Sequence, residues 1–263
     1  MKKIFYLICL WSFSFAACTE DDVDNLLNQL LSPASLSEAE IVDGLKTALE
    51  VGAENSVQSL SAQDGFFKDE AVKILLPEEV STLLEAANEA GLGSQLSIVV
   101  DPLVESLNRS AEDAVMEAGP IFVQAITDMT VSDGLGILTG EDDAATQYLE
   151  DKTYDSLQVK FSDKIKTSLS KPLLGESSFN SLWPAFVSKY NVVVDAYNLT
   201  TLLNPSKEPL ERIEQSDLSM YVTGKALDGM FLKIADEEGK IRKDPLARVE
   251  EILQKVFGTL DEN

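Results

Sequence analysis

The sequence predicts an all-α protein: a single compact domain of about eight to ten helices, several of them short. Apolar residues recur at helical spacing in several long segments of the chain. Ser, Thr or Asp residues stand directly before several of these segments, in the position of helix N-caps. No two alternating apolar segments are joined by a hairpin turn, and no repeat of fixed period is present. Together these observations favour helices and disfavour a sheet.

Residues 1–17 predict a signal peptide of the lipoprotein type. Lys2-Lys3 is followed by the apolar run 4–15, then by Ala16-Ala17 and Cys18. The run is shorter than the roughly 20 residues that a membrane-spanning helix needs. Because Phe15 is too large for ordinary secretory cleavage, the stretch instead resembles a lipoprotein signal with Phe in place of the usual Leu. We expect cleavage before Cys18 and lipidation of its thiol; plain secretion with a free thiol is the alternative.

Residues 18–36 predict an acidic tether between the lipid anchor and the domain. Residues 19–24 are rich in acids, and residues 23–31 predict a short helix that ends at Ser32-Pro33. These acids are typical of a solvated tether, and they also resemble the surface-export signals of some bacterial lipoproteins. We expect the chain to be exported and anchored to the bacterial envelope at the outer membrane, on its periplasmic or its surface side.

Helical signals dominate from Ser37 onward. Ser37 and Glu40 form a capping box, in which the serine caps the helix and the glutamate follows three residues later. Asp64-Gly65 breaks the first helix. Residues 73–76 form a short apolar run before Pro77, which we expect to be extended and tucked against the body. The helices predicted in this half are 38–60, 77–90, 102–118 and 119–129, with Pro102 and Pro120 near the starts of the last two.

The second half of the chain carries further caps and breaks. Thr130 with Asp133 and Thr139 with Asp142 are typical of N-caps that have an acid three residues later. Residues 204–216 predict a polar loop. Helices are predicted to begin at Thr130 and Thr139 and to span 153–170, 179–203 with an interruption at Pro184, and 221–241. Asp244-Pro245 opens a last helix that ends at Gly258 and has Leu246, Val249, Leu253 and Val256 on one side; residues 259–263 form a tail.

The composition excludes several classes of function. The net charge of −24 over 263 residues disfavours nucleic acid and anionic lipid head groups as partners. The chain has no histidine, and Cys9 leaves with the signal peptide, so Cys18 is the only cysteine of the mature chain. Histidine- or cysteine-based nucleophilic catalysis and zinc sites of these residues are therefore excluded. We expect no cofactor, and any metal site would use oxygen ligands of the calcium or magnesium type.

The first candidate site follows the clearest apolar stripe of the sequence. Leu107 and Ala111 lie on that stripe, so the polar residues between and after them face away from it: Asn108, Arg109, Glu112 and Asp113. The arginine is within helical reach of acids three and four residues away. One interpretation is a salt-bridged outer face of the helix. The other is a groove in which Arg109 and Glu112, with Asn108 beside them, bind a polar ligand.

The second candidate lies in residues 139–148 (TGEDDAATQY). Glu141, Asp142 and Asp143 stand in a row at a predicted helix start, and Thr146 follows within one turn. One interpretation is helix capping and compensation of the helix dipole. The other is that the acids gather a cation, although they lack the alternating spacing and the final glutamate of a calcium-binding hand loop.

A third motif is Asp64-Gly65-Phe66-Phe67. Two adjacent aromatic residues after a breaker cannot share one face of a helix. The motif therefore predicts a turn whose rings cover one end of the core, with the lip of an apolar pocket as the alternative.

Several segments together resemble one family of bacterial proteins. They are 44–49 (GLKTAL), 64–67 (DGFF), 108–112 (NRSAE), 137–148 (ILTGEDDAATQY), 221–232 (YVTGKALDGMFL), 240–242 (KIR) and 256–258 (VFG). Over about residues 36–258 the chain is similar to the uncharacterised family catalogued as domain of unknown function 4197. The resemblance implies an all-helical, exported and often lipid-anchored protein; it implies no reaction, so no catalytic residue is carried over. The family's polar signature maps onto a candidate ligand site of Asn108, Arg109, Glu112, Asp142, Asp143 and Thr146.

The sequence leaves three functions open. The first is a non-enzymatic cell-envelope lipoprotein that binds a ligand or a partner protein through a helical surface. The second is a hydrolase with paired carboxylates, which needs two acids converging in a cleft, one of them with a raised pKa. The third is a structural or stress-related envelope protein whose acidity serves solubility. An exposed apolar groove would favour the first, and a stable monomer without a pocket would favour the third.

Overall fold

Helices form where the apolar stripes predict them, and the chain is all-α. The computed structural model describes residues 37–89, 94–202, 208–213, 217–248 and 250–258. No strand occurs in these ranges, and their helices pack into a single domain. The predicted signal peptide, Cys18, the tether with its short helix and the C-terminal tail all lie outside the described residues.

The helices follow one another with few long connections. They are α1 (Glu38–Ser61), α2 (Glu78–Glu89), α3 (Ser94–Ala114), α4 (Gly119–Thr127), α5 (Val131–Leu138), α6 (Ala144–Ser168), α7 (Phe179–Thr201), α8 (Ser219–Lys243) and α9 (Glu251–Gly258). Short 3-10 turns, Val115–Ala118 and Pro245–Ala247, precede α4 and α9. Within the described ranges no single helix is long and apolar enough to cross a membrane; the pair Val99–Thr127 and Val131–Leu138, bent by 104°, meets the criteria only jointly.

Helices α1, α6 and α8 form the centre of the domain. Helix α8 packs along α6 and α1, α3 packs against α6 and α7, and α4, α5 and α9 cover α1. Helices α1 and α8 are antiparallel, because Gly52 lies beside Glu237 whereas Leu45 and Ile241 line the same small internal cavity. The start of α1 therefore lies beside the end of α8, and the end of α1 lies beside the start of α8.

Local caps set several helix starts. The predicted capping boxes at Ser37 and Thr130 both form: each hydroxyl accepts a backbone N–H, and the acid three residues on accepts the N–H of the cap. Ser178 starts α7 with a third box, in which Ser181 takes the place of the usual acid. This box was not predicted, because serine at that position is a weak sequence signal.

Two prolines that were predicted to start or interrupt helices do neither. Helix α3 begins at Ser94 and continues through Pro102, and α7 continues through Pro184. Each proline removes one backbone donor from its helix. Packing keeps the helices intact, because Leu103 follows the first proline and Trp183 precedes the second, and both are buried in the core.

Three other predicted boundaries were wrong. Thr139 ends α5 instead of starting a helix, and its Oγ1 donates to Leu135 O at 3.0 Å. Helix α6 begins at Ala144, where a distant side chain described below caps it, and continues through Thr153, where a separate helix was predicted to begin. The last helix begins at Glu251, and Leu246 is 89% exposed, so this leucine does not belong to its buried side.

Candidate functional site

Asn108 is fully buried in α3, where it holds a neighbouring segment by the backbone. Its Oδ1 accepts a hydrogen bond from Ile74 N at 2.8 Å, and its Nδ2 donates to Ile74 O at 2.8 Å. A further bond from Nδ2 to Val104 O, at 2.7 Å, fixes the amide on its own helix. Residues 73–76, which we call the inner strap, are non-helical and tucked against the body, with Ile74 and Leu76 buried. The side-chain amide of Asn108 therefore makes its hydrogen bonds within the fold and is not accessible to a ligand.

Arg109 and Glu112 hold the turn that precedes the inner strap. Glu112 Oε1 accepts hydrogen bonds from the backbone N–H groups of Phe66 at 3.2 Å and Phe67 at 3.3 Å. Arg109 Nη1 donates to Glu112 Oε2 at 2.7 Å, and Arg109 Nη2 donates to Asp64 Oδ1 at 2.6 Å. The predicted ion pairs with Glu105 and Glu112 therefore form, whereas Asp113 pairs with Lys171 instead. The bonds of Arg109 and Glu112 join α3 to the turn and do not line an open groove.

The electrostatics of this cluster favour the ionised form of Asp64. Burial would lower the pKa of Arg109, but its hydrogen bonds with Asp64 and Glu112 outweigh burial and raise that pKa. Hydrogen bonds from Lys68 and Arg109 hold the pKa of Asp64 below its ordinary value of 3.8. Glu105 accepts another bond from Arg109 at 3.1 Å. An aspartate held in its charged form is poorly suited to act as a general acid near neutral pH.

The turn has a conformation that suits its residues. Asp64 has φ of 72°, in the left-handed region that aspartate tolerates better than most residues. A Cβ on Gly65 would lie 2.4 Å from Ser59 O, so only glycine fits there. Phe66 is buried in the core, and the ring centroid of Phe67 lies 5.4 Å from Arg109 Cζ. The turn therefore covers one end of the core, as the first interpretation of the motif predicted.

Thr146 belongs to a second network, at the start of α6. Glu238 of α8 accepts hydrogen bonds from the N–H groups of Ala145 at 3.0 Å and Thr146 at 2.8 Å, and from the Thr146 hydroxyl at 2.8 Å. Arg242, one turn further along α8, donates to Glu238 Oε1 at 2.9 Å and to Ile137 O at 2.9 Å. Glu238 and Arg242 are both buried. The carboxylate thus caps α6 from another helix and meets the positive end of its dipole.

Asp142 and Asp143 lie outside both networks. Asp142 is exposed and pairs with Lys243, and Asp143 Oδ1 accepts a bond from Gln147 Nε2 at 2.9 Å. Among the described residues, no group of three or more acidic or cysteine side chains is arranged to hold a metal ion. In the same ranges no hydrogen bond or ion pair joins the six candidates into one site. The structure brings Asn108, Arg109 and Glu112 together and places the other three elsewhere.

A third network lies on the outer side of α7, within the loop that was predicted to be polar. Asn198 Oδ1 accepts from Leu210 N at 2.8 Å, and its Nδ2 donates to Leu210 O at 2.9 Å. Asn191 makes the same pair of bonds with Ile213, at 3.1 and 3.0 Å. Residues 208–213, which we call the outer strap, are therefore held along α7 by the amide geometry that holds the inner strap on α3.

One open groove lies between the inner strap, the start of α2 and the first half of α8. This α8 groove has a volume of about 580 Å³. Leu75 and Leu232 line it and are exposed, and Gly229 lies in its wall. Its charged lining carries both signs: Lys73, Glu78, Lys225 and Asp228.

A second groove, of about 490 Å³, lies between α4, α5 and α6. It contains Tyr148, the last residue of the second candidate segment. Burial raises the pKa of Tyr148, and the nearby charges of Asp133 and Asp128 raise it further. The phenol is therefore kept neutral and is not activated as a base.

Sequence reasoning missed several residues on which these networks depend. Arg242 lies within a family-like segment but was not singled out, and Asp64 was singled out as part of a turn but not as a partner of Arg109. Glu238 and Arg242 are four residues apart on one helix, and this spacing was an available signal for a pair. Arg248 is buried and closes the end of α8, donating from Nε to Ile241 O at 2.9 Å and from Nη2 to Arg242 O at 2.9 Å. No local pattern marks such a contact.

Comparison with known proteins agrees with the resemblance seen in the sequence. A family model described as protein of unknown function (DUF4197) matches residues 35–258. No curated protein and no solved structure gives a significant match. The matched range contains the three networks, both straps and both grooves. The chain therefore belongs to this family of proteins of unknown function, DUF4197.

Proposed function

We propose that this chain is a non-enzymatic lipoprotein of the bacterial cell envelope that binds a partner protein through the α8 groove. The observation that carries the proposal is the groove itself, an open cleft of about 580 Å³ with exposed Leu75 and Leu232 in its lining. An exposed apolar surface with a polar rim is typical of an interaction site. The predicted signal peptide and Cys18 support the envelope location.

The charges of the groove favour a protein over a polyanion or a simple cation. Lys73 and Lys225 contribute positive charge, and Glu78 and Asp228 contribute negative charge. A surface with both signs beside apolar side chains matches the polar rim and apolar centre of protein interfaces. A nucleic acid would instead require a clustered basic surface, and the net charge of −24 opposes it.

The position of the groove also suits a tethered protein. The chain enters the domain at Ser37, at the start of α1, and the groove lies at the start of α8, which is the other end of α1. A helix of 24 residues spans about 36 Å. The tether would thus join the domain at the end of α1 that lies away from the groove, so the point of attachment does not obstruct the groove.

The hydrolase alternative receives no support from the described residues. Every carboxyl group among them with a resolved pKa shift is shifted downward, toward the charged form. Glu112 and Asp143, one acid from each of the two candidate segments, make their hydrogen bonds with different neighbours. A general acid with a raised pKa is what the hydrolase mechanism needs.

The anchor is tested by the intact mass of protein purified from its native membrane. We expect cleavage before Cys18 and the added mass of a diacyl or triacyl lipid. The Cys18→Ala variant should lack that mass and leave the membrane fraction. An unmodified Cys18 on a secreted chain would refute the anchor.

The groove is tested by site-specific photo-crosslinking in cells. A photoreactive residue at position 232 should give a discrete protein adduct. The matched control is position 159 on α6, which is also exposed and apolar but lies outside the groove lining. Adding Leu75→Ser should weaken the adduct from position 232. Equal adducts from both positions, or none from position 232, would contradict the proposed function.

A further inference from the structure

The outer face of α7 holds a backbone segment at two fixed points. Asn198 binds the N–H and C=O of Leu210, and Asn191 binds the N–H and C=O of Ile213, with all four donor–acceptor distances between 2.8 and 3.1 Å. These bonds are made to the main chain alone. They therefore fix the register of the bound segment without depending on its side chains.

The spacing of Asn191 and Asn198 determines which backbone conformation of a bound segment can reach both side chains. The asparagines are seven residues apart, two helical turns, which rise about 10.5 Å. Their partners are three residues apart. Three residues of a polyproline II helix make one turn and rise about 9.3 Å, so both partners present their backbone groups on the same side. Pro209, directly before the first partner, is compatible with this conformation.

Side-chain chemistry adds selectivity between the two points. Asp195 lies midway between the asparagines on α7, and its Oδ1 accepts a hydrogen bond from Arg212 Nε at 2.9 Å, with a second contact between Oδ2 and Nη2. Leu210 and Ile213 are half-buried and pack against the core. The face therefore matches the pattern apolar–x–Arg–apolar in a polyproline II backbone.

The outer strap lies on the surface of this face and is only partly buried. Glu208, Pro209, Glu211 and Arg212 are exposed, and no residue of the strap is fully buried. Its attachment depends on hydrogen bonds, one exposed ion pair and the half-buried side chains of Leu210 and Ile213, which contribute little each. A groove of about 400 Å³ runs beside the strap, lined by Glu78, Thr82 and Tyr190, and leaves room for an approaching chain.

We propose that this face of α7 is a binding site for a polyproline II peptide of a partner protein, and that the outer strap occupies it as an internal stand-in. The partner segment carries an apolar residue, any residue, an arginine and a second apolar residue. It replaces the strap by making the same bonds to Asn191, Asn198 and Asp195. The groove beside the site shares only Glu78 with the lining of the α8 groove, and the proposal does not depend on the function proposed for the α8 groove.

The test uses the mature full-length chain and a labelled peptide of residues 207–214 with both ends blocked. In the variant Leu210→Ser/Arg212→Ala/Ile213→Ser, the chain's own strap no longer competes. Fluorescence anisotropy should show at least tenfold tighter peptide binding to this variant than to the wild-type chain. Adding Asn191→Ala and Asn198→Ala should abolish binding, and replacing the peptide's arginine with alanine should weaken it at least fivefold.

Failure of the triple variant to fold is covered by a second measurement on Arg212→Ala alone. There, excess peptide should speed hydrogen exchange at the Leu210 and Ile213 amides, because it displaces the strap. Absence of binding to a folded triple variant, or binding that survives loss of both asparagines, would overturn the proposal. Dimerisation of the wild-type chain that Asn191→Ala/Asn198→Ala abolishes would also overturn it, because the face would then serve a second copy.

Discussion

The inner and outer straps share one asparagine geometry but differ in what surrounds it. One asparagine, Asn108, holds the inner strap, where Ile74 and Leu76 are buried. Two asparagines hold the outer strap, where no residue is fully buried. The amide bonds fix the position of each strap along its helix. Apolar burial decides how firmly the strap stays there, because each net hydrogen bond contributes only about 1 kcal/mol.

The inner strap is also held from its far side. Tyr221 Oη of α8 donates to Leu75 O at 3.0 Å. A Cβ on Gly229 would lie 3.0 Å from the Cβ of Val72, directly before the strap, so a larger residue here would require its neighbours to shift by a few tenths of an ångström. The inner strap is thus enclosed between α3 and α8, whereas the outer strap is exposed opposite α7. This contrast predicts a permanent element in one case and a replaceable one in the other.

The largest difference is expected when one asparagine is removed from each strap. Asn108→Ala leaves the buried N–H and C=O of Ile74 without partners, which should lower the free energy of unfolding by about 3 kcal/mol. Asn198→Ala removes the same pair of bonds from half-buried Leu210. Water can replace those bonds, so the loss should stay below about 1 kcal/mol. Urea unfolding followed by circular dichroism measures both.

Each variant serves as the control for the other, since the residue type and the lost bonds are the same. Similar losses for the two variants would show that burial is not what separates the straps. A large loss for Asn198→Ala alone would reverse the comparison and make the outer strap the permanent element.

Native-state hydrogen exchange should separate the straps in the unmodified chain. The Ile74 amide should exchange only when the whole domain unfolds. The Leu210 and Ile213 amides should exchange through local opening, at least about 100-fold faster after correction for intrinsic rates. Equal protection of all three amides would contradict the inferred replaceability of the outer strap.

At the turn before the inner strap, loss of a buried charge should lower the free energy of unfolding more than loss of an exposed charge. Glu112→Gln removes the carboxylate that accepts from Phe66, Phe67 and Arg109, and should lower the free energy of unfolding by about 2 kcal/mol. Glu105→Gln is the matched control, because Glu105 also pairs with Arg109 but has a more exposed side chain, at 28% against 6%. Its effect should be close to zero, and thermal unfolding of both variants provides the measurement.

The helices were largely predictable from the sequence, whereas the straps were predictable only in part. Periodicity and local caps predict α1 and α8 well, because the apolar stripe and the cap lie in the same short window. The start of α6, at Ala144, was misplaced to Thr139 because Glu238, far along the chain, supplies its cap. Asn191 and Asn198 gave no useful signal, since their partners lie in a loop without a periodic pattern. Hydrogen bonds between a side chain and the backbone of a distant residue cannot be predicted from the local spacing of residues.

The smallest expected effect is a response to low pH, and it should be seen at the outer strap but not at the inner strap. The hydrogen bond and charge of Arg212 hold the pKa of Asp195 below its ordinary value of 3.8. This contribution to strap attachment is therefore complete above about pH 4 and is lost as the pH falls through the lowered pKa. NMR titration of the carboxyl group should show that pKa rising toward 3.8 in Arg212→Ala, and the outer-strap amide shifts should move over the same pH range. The inner-strap shifts should stay constant there, although Asp64 also has a lowered pKa, because burial of Ile74 and Leu76 does not depend on that charge.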